Sequence, residues 1–418
     1  MIAQLSQWIW GGPLLIMLCA AGLLLTIRTK GIQFTHFFRC HRLAFTPHHD
    51  KAAGDVSQFE AFSTSLAASI GIGSITGMAV ALSSGGLGAL FWMWLTALLA
   101  MPLKYAESFL AIKFRSQDLN HEMCGGPMLY LEKGLKAKWL AILFAAFTAL
   151  SSLGIGNSVQ VQSMAQSLQS TFSIPPLVTG ILLSILVGLS ILRGIKSIGR
   201  ITAYLVPIMG LFFAGSALAI IALNIKALPH VLLTVIEQAF TAKAIMLAIM
   251  MGAAQGIFSS EAGLGVAGIA ASAAQAKDPK KQSLIQMSTV SITTLFICTL
   301  MGLVLGVTGV LDQGLSGADI ALAAFSQALP FGKILLTFAI IPFGYSTILA
   351  WAYFAERALD YMFGIKSIMP FRICFTLFII MAATANLQLI WDFAYLANGL
   401  MAIPNLIGLI CLSKKLRV

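Results

Sequence analysis

Charge is what this chain lacks first. Of its 418 residues only 10% are Asp, Glu, Lys or Arg, 58% are hydrophobic, and the mean hydropathy is +0.90. A soluble domain carries about 25% charged residues, so this chain cannot cover itself with hydrated surface. A soluble enzyme, a secreted scaffold and a disordered segment are excluded. Acid is scarcer than base, 15 residues against 26, for a net charge of +11. In so apolar a chain the basic excess belongs to cytoplasmic loops, and no nucleic-acid partner is expected. Cysteine is sparse: Cys19, Cys40, Cys124, Cys298, Cys374 and Cys411 are scattered, with no CxxC pair, so they read as small apolar residues. P-loop, HExxH and GxSxG patterns are missing, so the chain is not expected to be an enzyme. His36, His41, His48 and His49 share one loop and read as a solvated basic face. The first apolar stretch lacks the basic leader of a cleavable signal and reads as a retained helix.

What is present is a series of apolar runs near the roughly 20 residues needed to cross a bilayer. They lie at 6–27, 59–82, 86–113, 139–169, 175–193, 199–223, 241–273, 284–310, 332–360, 370–386 and 389–412. This predicts an all-α polytopic membrane protein of about eleven spans. With the N-terminus outside and the C-terminus cytoplasmic, all 26 basic residues except Lys226, Lys243 and Lys333 fall in cytoplasmic segments, as positive-inside bias requires.

Two runs carry glycine clusters. The second contains Gly71-Ile72-Gly73-Ser74-Ile75-Thr76-Gly77, and the seventh runs from Gly252 through Glu261-Ala262-Gly263-Leu264-Gly265. They are five spans apart, so they cross in opposite directions, the sequence mark of an inverted-repeat transporter. This predicts a 5+5 repeat over 59–223 and 224–418, preceded by one extra helix and a cytoplasmic loop in 1–58, all in one integral domain. A break in a helix exposes carbonyls on one side and amides on the other. Carbonyls suit a cation and amides a carboxylate, so the pair fits a zwitterionic amino acid with a co-bound ion. Packing glycines are the competing reading, weaker for two repeat-related clusters than for one.

Glu261 reads as the only acid well inside a span, and an intramembrane acid is functional by default. Anchor of the broken helix, proton carrier and ion ligand are its possible roles; nearby amides favour the anchor. Glu107 with Lys104 reads as an ion pair at a helix end. Asn157 and Gln160, one turn apart, can present amides to a neutral polar substrate or serve as interhelical glue. Ser346 and Thr347 can complete a shell of hard oxygen ligands or bond back to their own helix. Trp351 lies one turn on and can wall a small pocket.

Gly71–Gly77, Gly85–Trp94, Lys104–Glu107, Gly125–Met128, Gly156-Asn157 with Gln160, Gly256–Gly265 and Ser346-Thr347 with Trp351 together resemble the alanine or glycine:cation symporter family over roughly residues 60–360. The resemblance implies a leucine-transporter-type fold and sodium-coupled symport of small neutral amino acids, alanine and glycine first. Sodium is then the coupling ion, with no organic cofactor. Ile72 and Gly73 would offer amides to the substrate carboxylate, and Phe258, Ser259, Gln160, Thr347 and Trp351 would line the pocket. The carbonyls of Ala67 and Ile70, with Ser346 and Thr347, would form the sodium site. Ser74 and Ser260 stand where the family usually has Asn, and Ile72 where it has Thr. The competing functions are a proton-coupled or uncoupled carrier and a transport-dead sensor or channel. The expected setting is the plasma (bacterial inner) membrane, and the expected state a monomer.

Overall fold

The computed structural model describes residues 2–10, 12–46, 52–118, 120–241 and 245–416. Lys51, Lys243, Arg417, His48 and His49 lie outside them. Among the described residues the chain is almost wholly helical. One two-stranded ribbon pairs Ser116–Gln117 with Met123–Cys124, and an isolated bridge joins Val56 to Ala274.

Among the described residues, eight helices are long and apolar enough to cross a membrane: Trp8–Arg28, Ala89–Phe114, Lys138–Phe172, Gly194–Leu223, Pro279–Thr308, Gly332–Phe363, Ile365–Thr384 and Gln388–Lys415. Two bent pairs bring the number to as many as ten: Gln58–Ser69 with Ile72–Gly85, and Leu228–Phe240 with Ile245–Ser260. The expected fifth span is Pro176–Ile191, only 16 residues and about 24 Å at 1.5 Å per residue, short of a 30 Å core. The expected seventh span divides into Ile245–Ser260 and Val266–Ser272. Helices outside the expected runs include Phe37–Phe45 in the first loop, Leu228–Phe240, turned 110° from its successor, and Ala318–Ala328.

Starts and stops follow local chemistry. Ser57 and Glu60 close a capping box at the start of Gln58–Ser69, satisfying amides that the first turn leaves free. Proline opens Pro176–Ile191 and Pro279–Val290, where its missing N–H costs nothing. Burial is uneven: the hydrophobic window of Ala89–Phe114 is 78% buried, that of Ile365–Thr384 only 22%. Ala89–Phe114 is thus a central post. Helices 176–191 and 194–223 turn Leu182, Ile185, Leu189, Tyr204 and Leu211 outward, a lipid-facing surface. The central post packs against Ile245–Ser260, Val266–Ser272 and Pro279–Val290, bringing its buried side chains to the second glycine cluster.

Candidate functional site

Both glycine clusters are breaks. In the first, Gln58–Ser69 ends at Ile70, whose amide donates to the Leu66 carbonyl (2.7 Å). Gly71 is extended, Ile72–Ser74 form one 3-10 turn, and helix resumes at Thr76, with a 53° bend overall. Gly71 is required by close approach: a Cβ there would collide with the Thr347 hydroxyl. The Ile72 amide donates to Gln160 Oε1 (3.1 Å), and Gln160 Nε2 donates to the Ile155 carbonyl (3.0 Å). The Gly73 carbonyl accepts from Gln255 Nε2 (2.9 Å). Thr347 Oγ1 lies 2.7 Å from the Ala67 carbonyl and 2.9 Å from the Phe343 carbonyl, so its single proton serves one at a time. Each of these groups is neutral and buried.

The second break spans Glu261 to Gly265. Glu261, Gly263 and Gly265 all have positive φ (53°, 86° and 84°), a conformation that costs a non-glycine residue about 1 kcal/mol or more. Charges hold this break. Lys104 Nζ donates to the Ser260 carbonyl (2.7 Å) at the end of one half-helix, with Ser69 Oγ 3.4 Å away. Glu107 Oε1 accepts from the amides of Gly263 (2.7 Å) and Gly265 (3.0 Å) and from Asn405 Nδ2 (2.9 Å). Asn405 also donates to the Gly263 carbonyl (2.8 Å) and accepts from the Tyr130 hydroxyl. Glu261 Oε1 accepts from the Trp351 indole (2.8 Å). Three expectations change here. Glu107 and Lys104 are not a helix-end pair but lie fully buried at the break. Glu261 is not the only acid deep inside a span. Glu107, rather than Glu261, is the anchor that accepts the break's amides.

The expected site residues gather unevenly. Ile72, Gly73, Gln160, Thr347 and Ala67 meet at the first break. Phe258 lies across Gly73, whose Cβ would come within 2.9 Å of its ring, and it packs on Trp391 and Tyr395 with ring centroids 5.6 and 5.0 Å away. Trp351 lies against Gly156, in a π-helical turn over Gly154–Ser158, so closely that a Cβ at Gly156 would collide with it. Gly77 faces Gln255. Other expected residues point elsewhere. Asn157 Nδ2 donates to the Phe375 carbonyl (3.1 Å), as interhelical glue. Ser259 pairs with Thr294 (2.9 Å), and Ser74 donates to the Ser69 carbonyl (3.1 Å). Ser346 donates to its own Phe343 carbonyl (3.1 Å), with the Met209 sulfur 3.7 Å away. Ile70 is buried at the end of its half-helix.

Gln255, Asn405 and Tyr130 had no role in the sequence reading, and Lys104 and Glu107 entered it only as a helix-end pair. Lys104 and Glu107 carried a usable signal, since both fall well inside the 86–113 run and charge at that depth marks function.

Comparison with known proteins agrees with this geometry. The model of the sodium:alanine symporter family matches residues 1–417. The chain is 43% identical to the sodium/alanine symporter AgcS of Methanococcus maripaludis, over 99% of this chain and 94% of that one. It is 34% identical to the probable sodium/glutamine symporter GlnT of Bacillus subtilis, over 98% and 87%. The solved structure of MhsT in complex with L-phenylalanine superposes with a TM-score of 0.64 at 14% identity, over 86% and 89% of the two chains. That likeness concerns the fold, which is of the leucine-transporter type. Broken helices, full-length family match and full-length relatives converge: this chain is a multi-pass membrane transporter, not an enzyme, and belongs to the sodium:alanine symporter family.

Proposed function

We propose that the chain is a sodium-coupled symporter of small neutral amino acids, of the alanine and glycine class, working by alternating access in the plasma membrane. The observation that carries this reading is the first break, where a backbone amide and a backbone carbonyl are covered only by neutral, exchangeable partners. A substrate carboxylate would take the Ile72 amide from Gln160 and add that of Gly73. Sodium would sit on the Ala67 carbonyl with Thr347 Oγ1, whose proton would stay on Phe343 while a lone pair faces the ion. Hard cations take oxygen ligands of this kind. The Ile70 carbonyl and a reoriented Ser346 would complete the shell.

Substrate size is argued from what surrounds the break. Phe258 fills the space above Gly73, and Trp351 presses on Gly156. Little room remains for a long side chain, which favours alanine and glycine over larger residues. AgcS is a sodium/alanine symporter and GlnT a probable sodium/glutamine symporter, which supports sodium and a neutral amino acid.

Coupling follows from shared parts. Sodium at Ala67 holds the end of the half-helix whose next residues offer the amides, so each ligand raises the affinity of the other, reciprocally. The two halves, 59–223 and 224–418, would rock about this site as inverted repeats. The test is uptake of labelled alanine into proteoliposomes with sodium, then with choline at the same pH. Uptake that persists in choline and follows a pH gradient would make the protein a proton-coupled carrier instead. Ser346→Ala with Thr347→Ala is expected to abolish sodium-dependent uptake in a folded protein.

A further inference from the structure

The two breaks differ in what neutralises them. A helix break has two poles: carbonyls at the end of one half, which attract a cation, and amides near the start of the next, which attract an anion. At the second break both poles are already occupied by the protein's own charges. Lys104 Nζ lies 2.7 Å from the Ser260 carbonyl, and Glu107 Oε1 accepts the Gly263 and Gly265 amides. The two residues stand one turn apart on the central post, so a single helical face supplies both counter-charges. Both side chains are fully buried, and a buried ion left unpaired is strongly destabilising. Neither can therefore leave its pole without a replacement.

We propose that Lys104 is a tethered cation standing where a second travelling cation would bind, so that this transporter carries one sodium ion per substrate. The inference rests on the sodium-symport reading above and sharpens it. The first break alone retains neutral, replaceable partners, so the mobile ion and the substrate carboxylate both belong there. The second break serves as a fixed frame. Ser69 Oγ, 3.4 Å from Lys104 Nζ and 3.4 Å from the Ser260 carbonyl, extends the same ammonium to the inner end of the first half-helix. Lys104 is thus a positioning residue: it acts on the ligands through the backbone that holds them.

The experiment is a null-flux measurement on the intact protein in proteoliposomes. With sodium equal on both sides, a fixed alanine gradient is opposed by a series of potassium diffusion potentials, and the potential at which net flux of labelled alanine vanishes gives the charge moved per substrate. One charge per alanine is expected, with a Hill coefficient of one for sodium. Two charges would overturn this inference and leave the symport reading standing. No charge and no sodium dependence would overturn both. Lys104→Met, of similar length and no charge, is expected to raise the Hill coefficient towards two, because the vacated Ser260 carbonyl beside Glu261 would recruit an ion. An unchanged coefficient and charge ratio in a transporting Lys104→Met protein would overturn the inference. Should that variant fail to fold, Lys104→Arg carries the variant test. It keeps the cation and is expected to keep one charge per alanine, and a shift to two would count against the proposal.

Discussion

The first break is stitched by amides and hydroxyls, and the second by an ammonium and a carboxylate. Gln160, Gln255 and Thr347 hold the first with neutral hydrogen bonds at 2.7–3.1 Å. Lys104 and Glu107 hold the second with charge-assisted bonds, the shortest at 2.7 Å. A neutral hydrogen bond contributes about 0.5–1.5 kcal/mol net, so an ion or a carboxylate can displace it at small cost. Removing one side of a buried charged contact costs about 3–5 kcal/mol. The difference separates a part that must exchange partners in every transport cycle from a part that must not.

The comparison breaks most readily at Glu107. Glu107→Leu removes the acceptor for two backbone amides and Asn405, and is expected to destabilise by about 3–5 kcal/mol. Loss of the monodisperse peak on gentle heating in detergent would report it. Gln160→Leu, measured in parallel, is expected to lose only about 1 kcal/mol, and equal losses would erase the distinction between the breaks.

Thr347→Val comes next, because it keeps shape and removes one oxygen. The half-saturating sodium concentration is expected to rise roughly tenfold, about 1.4 kcal/mol, with the melting temperature nearly unchanged. An unaltered sodium dependence would move the ion away from Ala67.

In transport, Gln160→Leu is expected to raise the KM for alanine about fivefold, equivalent to about 1 kcal/mol, with little effect on sodium affinity. A change in sodium affinity alone would reassign Gln160 to the ion.

The smallest effect is expected outside the spans and serves as a control for thiol labelling at the breaks. Burial pushes the Cys124 thiol up to about 12. Thiolate is the reactive form, so maleimide should modify Cys124 slowly at pH 7 and faster as the pH rises. Prompt labelling of Cys124 at pH 7 would show that this end of the molecule opens readily.

Much of the architecture was legible in the residues. The eight long helices, the bent pair over 58–85, the helix Ile245–Ser260 and the short fifth helix fall close to the apolar runs, because hydropathy over some 20 residues is a local property. The two breaks were legible for the same reason: glycine clusters weaken a helix where they stand. The helices Leu228–Phe240 and Ala318–Ala328 were missed, since neither is long enough to read as a span. Whether Asn157 is a pocket amide or interhelical glue stayed open in the residues, because spacing along one helix does not say which neighbour lies opposite; the Phe375 carbonyl lies there.

The amino-acid order alone determined that the chain crosses the membrane many times and that two of its helices are interrupted. Only the tertiary structure decided what holds each interruption. Glu107 is 156 residues from Gly263 and 298 from Asn405, and Gln160 is 88 from Ile72. Contacts across such separations arise from packing whole helices side by side, and in a bilayer any helix face can meet another with nearly the same apolar surface. Which neutral group covers one backbone pole, and which charge covers another, is therefore written in the packing and not in any local stretch of chain.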